Sequence, residues 1–273
     1  MQPLGVTPPR EKSSVKIRAG IIQFDVRIGD VKRNLATAKR HMIRLSRQDV
    51  RLVVLPEMWS TGFDNEHLQA LSETTPGILE DLAGLSERLH LTIIGSLPEK
   101  RPDGVYNTAY VVDRDGSVAG AYQKIHLFSQ TGEDRYFRPG HEAVVAKTFL
   151  GPIGLMICYD LRFPELCRCL TLRGAKMVVV MAQWPALRVA HWEALLKARA
   201  IENQLFVFGV NRCGQDSDLV YAGHSRIISP YGEIIARAGK RQTSLRADID
   251  LRLVERTRIQ MPCLQERMPE AYG

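Results

Sequence analysis

Nowhere in this 273-residue chain is there an uninterrupted apolar stretch of about 18 residues, so the sequence offers no membrane-spanning helix. The N-terminal segment MQPLGVTPPREKSSVK also lacks the apolar core of roughly 7–15 residues that a secretory signal needs. Cysteine is scarce: Cys158, Cys167, Cys169, Cys213 and Cys263 form an odd set without framework spacing, which argues against a secreted disulfide scaffold. These absences together predict a soluble cytoplasmic protein. The net charge of +7 comes from 37 Lys and Arg against 30 Asp and Glu, spread along the chain and not gathered into basic runs interleaved with aromatics. No helix-turn-helix, RNP-type or zinc-finger spacing accompanies it, so a nucleic-acid partner is not expected, whereas a small anionic substrate would suit the excess charge. The seven histidines include no HExxH and no pair at ligand spacing with a cysteine cluster, so no metal site is expected. No internal repeat or low-complexity linker divides the chain.

What is present is ordinary globular material, 45% hydrophobic and 25% charged, enough for one large core. Residues 1–15 read as a polar, disordered leader, and the folded domain is expected to span 16–273, starting with the apolar run KIRAGIIQF (Lys16–Phe24). A helix from Asp30 to about Gln48 follows, with Val31, Leu35, Ala38, Met42 and Leu45 on one face. Next come a strand at RLVVL, a helix from Pro76 to His90, and strands at LTIIGSLPE, YNTAYVVD and Ser117–Tyr122. Beyond a strand ending at Cys158 the pattern is helix (about Phe163–Arg173), strand KMVVVMA, helix (about Arg188–Asn203) and strand LFVFGVN. Strands at Ala222–Ser229, Glu233–Ala238 and Ser244–Ile249 complete it, with a turn at Pro230–Gly232 and an irregular tail from Arg258. With strands outnumbering helices, no apolar sheet face stays dry unless two sheets cover each other. The prediction is therefore an α/β fold, a four-layer α-β-β-α sandwich of two mixed sheets with helices outside.

Three residues stand at or just past predicted strand ends, where α/β sheets build sites. Cys158 in GLMICYDLRFPE lies on a strand-to-helix turn, a place whose helix N–H groups favour a thiolate and an oxyanion, although a cysteine ending a strand also serves as a small core hydrophobe. Glu57 in LPEMW is either a solvated loop acid or a carboxyl raised by Pro56, Met58 and Trp59 towards the pKa of a general base. Lys124 in YQKIHLF is flanked by Tyr122, Ile125, Leu127 and Phe128, and if buried it needs a carboxylate partner. Arg162 and Glu165 are expected to pair structurally around the helix after Cys158. Cys167 and Cys169 lie about 100° per residue apart on that helix and are not joint ligands.

The order and context of LPEMW, YQKIHLF and ICYDLRFPE resemble the nitrilase superfamily of carbon–nitrogen hydrolases, and the similarity runs from about Lys16 to Tyr272. Further matching segments, Gln183–Gln204, NRCG, GHSRIISPYGEII and ERMPEAY, look most like the omega-amidases and related bacterial amidases. The resemblance implies a Glu–Lys–Cys catalytic set of Glu57, Lys124 and Cys158, with Glu133 as the second glutamate beside a neighbouring Asp134. It further implies an oxyanion contact from the backbone N–H of Tyr159, a thioester intermediate, and no metal or organic cofactor. Phe63, Phe128, Trp184 and Arg188 are the expected substrate-binding residues, Arg188 for the far carboxylate of a dicarboxylate monoamide such as 2-oxoglutaramate. Gln183 departs from the Asn usual before Trp184 in such omega-amidases. The implied assembly is a homodimer or a larger even-numbered oligomer, with the tail from about 258 contributing to its contacts. Two alternatives stay open: another carbon–nitrogen hydrolase (deaminated-glutathione amidase, N-carbamoyl amidase or nitrilase), and a non-catalytic, partner-binding member of the family.

Overall fold

A computed structural model describes residues 16–217 and 219–271 of the chain. The expected leader, residues 1–15, lies outside the described residues. The first half contains β1 (Lys16–Gln23), α1 (Val31–Ser46), β2 (Leu52–Val54), α2 (Leu68–Ser72), α3 (Thr75–Leu89), β3 (Thr92–Arg101), β4 (Gly104–Val112), β5 (Val118–Gln123) and α4 (Glu133–Tyr136). β6 (Val145–Thr148), β7 (Gly151–Ile157), α5 (Pro164–Leu172), β8 (Met177–Ala182), α6 (Val189–Asn203) and β9 (Phe206–Asn211) follow. The chain then runs through β10 (Cys213–Gln215), β11 (Val220–Ala222), β12 (Arg226–Ile228), β13 (Ile234–Arg237), β14 (Thr243–Asp250) and α7 (Arg252–Gln260). Two six-stranded mixed sheets result, ordered β14-β1-β2-β3-β4-β5 and β13-β12-β9-β8-β7-β6. β1, β2 and β3 are mutually parallel, as are β7, β8 and β9, and the outer strands join antiparallel.

The four layers follow from which residues are apolar. Ile17, Ala19, Ile21, Leu52, Val54, Ala109 and Val111 of the first sheet share one core with Leu155, Ile157, Val179, Phe208 and Ile227 of the second. Leu166 and Leu170 of α5 and Trp192, Leu196 and Ala200 of α6 extend that core over the second sheet's outer face. The alternate residues of the first sheet, Ile22, Val53, Ile93, Tyr110 and Val112, pack instead on Ala38, Met42 and Leu45 of α1 and on Ile78, Leu82 and Leu85 of α3. Asp30 caps α1 by accepting the Arg33 N–H at 3.0 Å. All six residues of β8 are buried, as its unbroken apolar run requires of a strand covered on both faces. A Cβ on Gly209 would collide with Leu196, so glycine is what lets α6 lie close on β9.

The structure departs from expectation in four places. The supposed single strand Ala222–Ser229 breaks at Gly223 and His224, both at positive φ (69° and 55°), so β11 pairs with β10 while β12 enters the main sheet. The region from Arg252 to Gln260 is a helix, and the irregular tail begins only after it; in RLVERTRIQ only Val254 and Thr257 are buried, too thin a stripe to read against the charges. The edge strand β6 and the short α2 carry no periodicity long enough to detect. The cysteine turn is a separate 3-10 turn over Cys158–Arg162; α5 itself starts at Pro164, close to the expected Phe163, so the α-helix terminus is not beside the sulfur. No helix among the described residues is long and apolar enough to cross a membrane.

Candidate active site

Glu57, Lys124, Cys158 and Gln183 follow the ends of β2, β5, β7 and β8, the loop zone at the carboxyl ends of the strands. The Glu57 side chain is 1% exposed and that of Lys124 2%, so both charges need partners. Lys124 Nζ donates to Glu57 Oε1 at 2.9 Å and to both Glu133 oxygens at 2.7 and 2.8 Å. Glu133 stands at the start of α4 after Gly132, whose φ of 73° makes the turn, and its Oε2 also accepts the Phe128 N–H at 2.7 Å. Asp134 beside it is exposed. The link from Glu133 to Glu57 runs through the lysine.

Glu57 is held on every side. Its Oε1 also accepts Asn107 Nδ2 at 2.9 Å, its Oε2 accepts the Gln183 N–H at 2.9 Å, and its carbonyl accepts Gln183 Nε2 at 3.0 Å. Cys158 sits at φ 47°, a strained value for a residue with a Cβ, on the turn that follows β7. Asp160 stabilises that turn: its Oδ2 accepts the Ile157 N–H at 2.8 Å and the Tyr122 hydroxyl at 2.7 Å. Its Oδ1 accepts the His126 N–H at 3.1 Å and meets His126 Nδ1 at 2.8 Å. One fully buried carboxylate thus ties the residues on either side of Lys124 to the turn that carries Cys158.

A cavity of about 380 Å³ opens onto this cluster. Its walls include Glu57, Lys124, Glu133, Cys158 and Tyr159, and all four expected substrate-binding residues, Phe63, Phe128, Trp184 and Arg188. Trp184 is 3% exposed and donates Nε1 to the Arg188 carbonyl at 2.8 Å, so its ring is a fixed wall. The Arg188 guanidinium lies 5.6 Å from the centre of the Phe128 ring and reaches Gln130 Oε1 at 3.5 Å. Arg162 requires a correction: no ion pair with Glu165 forms among the described residues, because its guanidinium is turned into the cavity, 4.7 Å from the Trp184 ring and 3.4 Å from His191 Nδ1. Asn107 and Tyr221 are further site residues that the sequence reading did not single out, although an Asn inside the apolar strand GVYNTAYVV was a visible oddity; Gln183, noted there only for standing where an Asn is usual, also lines the cavity. Among the described residues no group of three His, Cys, Asp or Glu side chains is placed to hold a metal ion.

Burial raises the Glu57 carboxyl above its ordinary value; Lys124 opposes the shift and the Glu133 charge adds to it. Burial works against the charge of Lys124, but Glu133 and Glu57 more than offset it and hold the ammonium above its usual pKa. At the sulfur the electrostatics oppose a thiolate. Burial pushes the Cys158 thiol well above its ordinary value, the neighbouring Glu57 carboxylate pushes it further, and Lys124 recovers only part. A thiol pushed up beside a carboxyl group that is itself raised is a pair suited to pass one proton when an electrophile arrives.

The family model described as carbon-nitrogen hydrolase matches residues 18–259. The 2-oxoglutaramate amidase of Bacillus subtilis (strain 168) is 34% identical over 253 residues, covering 92% of this chain and 97% of that protein. A crystal structure of a carbon-nitrogen hydrolase from Helicobacter pylori superposes with a TM-score of 0.90 at 27% identity, covering 94% of this chain and 97% of that one. A variant of the amidase from Nesterenkonia sp. AN1, with a TM-score of 0.84, 27% identity and 98% of each chain covered, carries the acetamide moiety of fluoroacetamide covalently on its active-site cysteine.

Proposed function

The chain belongs to the carbon–nitrogen hydrolase family of the nitrilase superfamily and is an amidase, and from that premise we propose that it hydrolyses a small anionic primary amide through a thioester on Cys158. The observation that carries this reading is the buried contact of Lys124 Nζ with Glu57 and Glu133 in the cavity that Cys158 also lines. Glu57 Oε1 already accepts two donors and Oε2 one, so the free lone pair for the thiol proton is on Oε2. As the sulfur attacks the carbonyl carbon, the proton passes to Glu57 and the C=O electron pair moves onto oxygen. Lys124 and the Tyr159 N–H receive that oxyanion, each such donor contributing about 3 kcal/mol when aimed at charge that exists only in the transition state. Once Glu57 is neutral its hold on Lys124 weakens, which frees a donor as the oxyanion appears. Glu57 then returns the proton to the leaving nitrogen, ammonia departs, and the same carboxylate activates the water that cleaves the thioester.

The anionic substrate is supported by two cavity arginines. Among the described residues neither Arg162 nor Arg188 pairs with a carboxylate; aromatic rings and neutral acceptors hold them instead. A carboxylate at the far end of a monoamide would complete either one. The Bacillus subtilis relative is named for 2-oxoglutaramate, and we carry that substrate to this chain. We also propose a homodimer, in keeping with the exposed apolar Leu172 and Ile201 on α5 and α6 and Ile259 on α7, and a cytoplasmic site, in keeping with five unpaired cysteines.

The test is ammonia release from a panel of 2-oxoglutaramate, 2-oxosuccinamate, glutaramate, deaminated glutathione and N-carbamoyl-β-alanine. Turnover of the short anionic amides, abolished in Cys158→Ala and weakened through KM in Arg162→Gln or Arg188→Gln, is the expected result. Preferred turnover of the carbamoyl compound or the glutathione derivative assigns a different carbon–nitrogen hydrolase. A KM for the short anionic amides that is unchanged in both Arg162→Gln and Arg188→Gln overturns the role of the arginines.

A further inference from the structure

We propose that Gln183, braced by the buried Arg212, is a positioning residue that fixes the main chain and carboxylate of Glu57 together; the proposal rests on reading Glu57 as the base. Gln183 is the first residue after β8, and it grips Glu57 twice, through its own N–H to Oε2 at 2.9 Å and through side-chain Nε2 to the Glu57 carbonyl at 3.0 Å. Such a grip is needed because the chain turns sharply at the next residue, Met58, whose φ is 45°. The third arm of Gln183 is its Oε1, which accepts Arg212 Nη1 at 2.9 Å.

Arg212 settles which way the amide faces. A guanidinium only donates, so it must meet the carbonyl end of Gln183, and the NH₂ end is thereby turned towards Glu57. The orientation is dictated by chemistry. Arg212 is itself immobilised: its side chain is 1% exposed, it pairs with Asp216 Oδ2 at 3.1 Å and Asp25 Oδ1 at 3.6 Å, and it lies 4.3 Å from the Tyr221 ring. Its main-chain N–H donates to the Ala182 carbonyl at 2.9 Å, at the end of the strand that delivers Gln183.

Stability alone does not explain a buried cation here. An apolar side chain of similar volume fills such a space at equal or lower free energy, because a buried ion pair costs its desolvation. What an arginine supplies and an apolar residue does not is a directed donor ending on the amide that holds Glu57. The backbone N–H of Gln183 also fills one lone pair of Oε2, which leaves a single acceptor position for the thiol proton. Position and proton path are set by one residue 126 places along the chain.

Other charged and titratable groups also face Glu57: Lys124, Glu133, Cys158 and Tyr221, with Arg212, Asp25 and Asp216 behind Gln183. Against that background the two informative variants are Gln183→Glu and Gln183→Met. Gln183→Glu keeps an acceptor for Arg212 but loses the donor to the Glu57 carbonyl and adds a negative charge nearby. Its acid limb in kcat/KM should move up by about half a pH unit and its kcat should fall about tenfold, with KM within about twofold. Gln183→Met loses both side-chain bonds and should show a similar kcat loss with KM again unchanged. Wild-type kcat and an unmoved acid limb in a folded variant overturn the proposal, as does a loss of activity that merely tracks a lower fraction folded. If Gln183→Met does not fold, Gln183→Glu carries the test. Glu57→Gln is assayed in parallel: full activity there removes the reading of Glu57 as the base, an outcome distinct from failure of the Gln183 variants.

Discussion

Replacing Glu133 by Gln tests the electrostatics of the cluster with almost no change of shape. Glu133 Oε2 accepts both Lys124 Nζ and the Phe128 N–H, and Oε1 accepts Lys124 again. A glutamine offers one carbonyl in place of two acceptor oxygens, so its NH₂ must face either the ammonium or the Phe128 N–H, donor against donor. Breaking one side of a buried pair costs about 3–5 kcal/mol; because Lys124 keeps Glu57 and the amide keeps one acceptor, the lower end, about 3 kcal/mol of folding stability, is expected. The same change removes a negative charge that raises Glu57, so the Glu57 carboxyl becomes more acidic and the acid limb of kcat/KM moves to lower pH. Lys124, steadied by one carboxylate instead of two, loses alignment with the oxyanion, and kcat should fall by roughly a hundredfold. Denaturant unfolding gives the stability, and ammonia release across pH gives kcat and the limb. Glu133→Asp, which keeps the charge on a shorter arm, should lose rate but leave the limb in place. An acid limb that stays put or rises in Glu133→Gln would refute the reasoning.

For the wild type, activity requires Glu57 ionised, and its pKa is raised; kcat/KM should therefore fall with acid at a pH above that of an ordinary carboxylate, and a limb at or below the ordinary value would contradict the burial argument. Because the Glu57 carboxylate helps to push the Cys158 thiol up, Glu57→Gln should bring the thiol down and speed its alkylation by iodoacetamide at neutral pH, followed by peptide mass spectrometry, while amide turnover is lost for want of a base; a slower alkylation would contradict the direction of the shift. Tyr122→Phe removes a 2.7 Å bond to the buried Asp160 and should cost about 1.5–3 kcal/mol in denaturant unfolding, with a lower kcat because the Lys124 segment loosens from the Cys158 turn. Gly95→Ala places a Cβ 2.7 Å from the Trp59 ring, behind the Glu57 loop, and should destabilise by about 1–3 kcal/mol on thermal unfolding; wild-type stability would show that Trp59 has room to move.

Local pattern was enough for the layers. The apolar faces of α1 and α3, the solid run of β8 and the turn residues between strands each constrain a few consecutive positions, and two covered sheets follow from their number. The misses have the same origin in reverse: α7 buries only Val254 and Thr257 among charges, and the break at Gly223 and His224 depends on backbone angles that an apolar pattern does not encode. The candidate site was legible as residue types at strand ends, but not as a network. Asn107, Gln183 and Arg212 act on Glu57 or its supports from strands or strand ends far along the chain, and although the segments of Gln183 and Arg212 stood out by resemblance, nothing in them announces the contact.

That division also explains why the turn alone is a poor guide to the state of the sulfur. A sequence shows a cysteine before a helix and invites the helix dipole as the activating charge. In the fold a 3-10 turn over Cys158–Arg162 stands between the sulfur and α5, and the charges nearest the sulfur are Glu57, Lys124 and Glu133, one cation between two anions. Such a set is net negative, so it favours the thiol at rest and a proton transfer on demand. A permanently ionised sulfur would meet alkylating agents and oxidants as readily as substrate; a thiol that ionises only when Glu57 takes its proton reacts where an electrophile is already seated in the cavity.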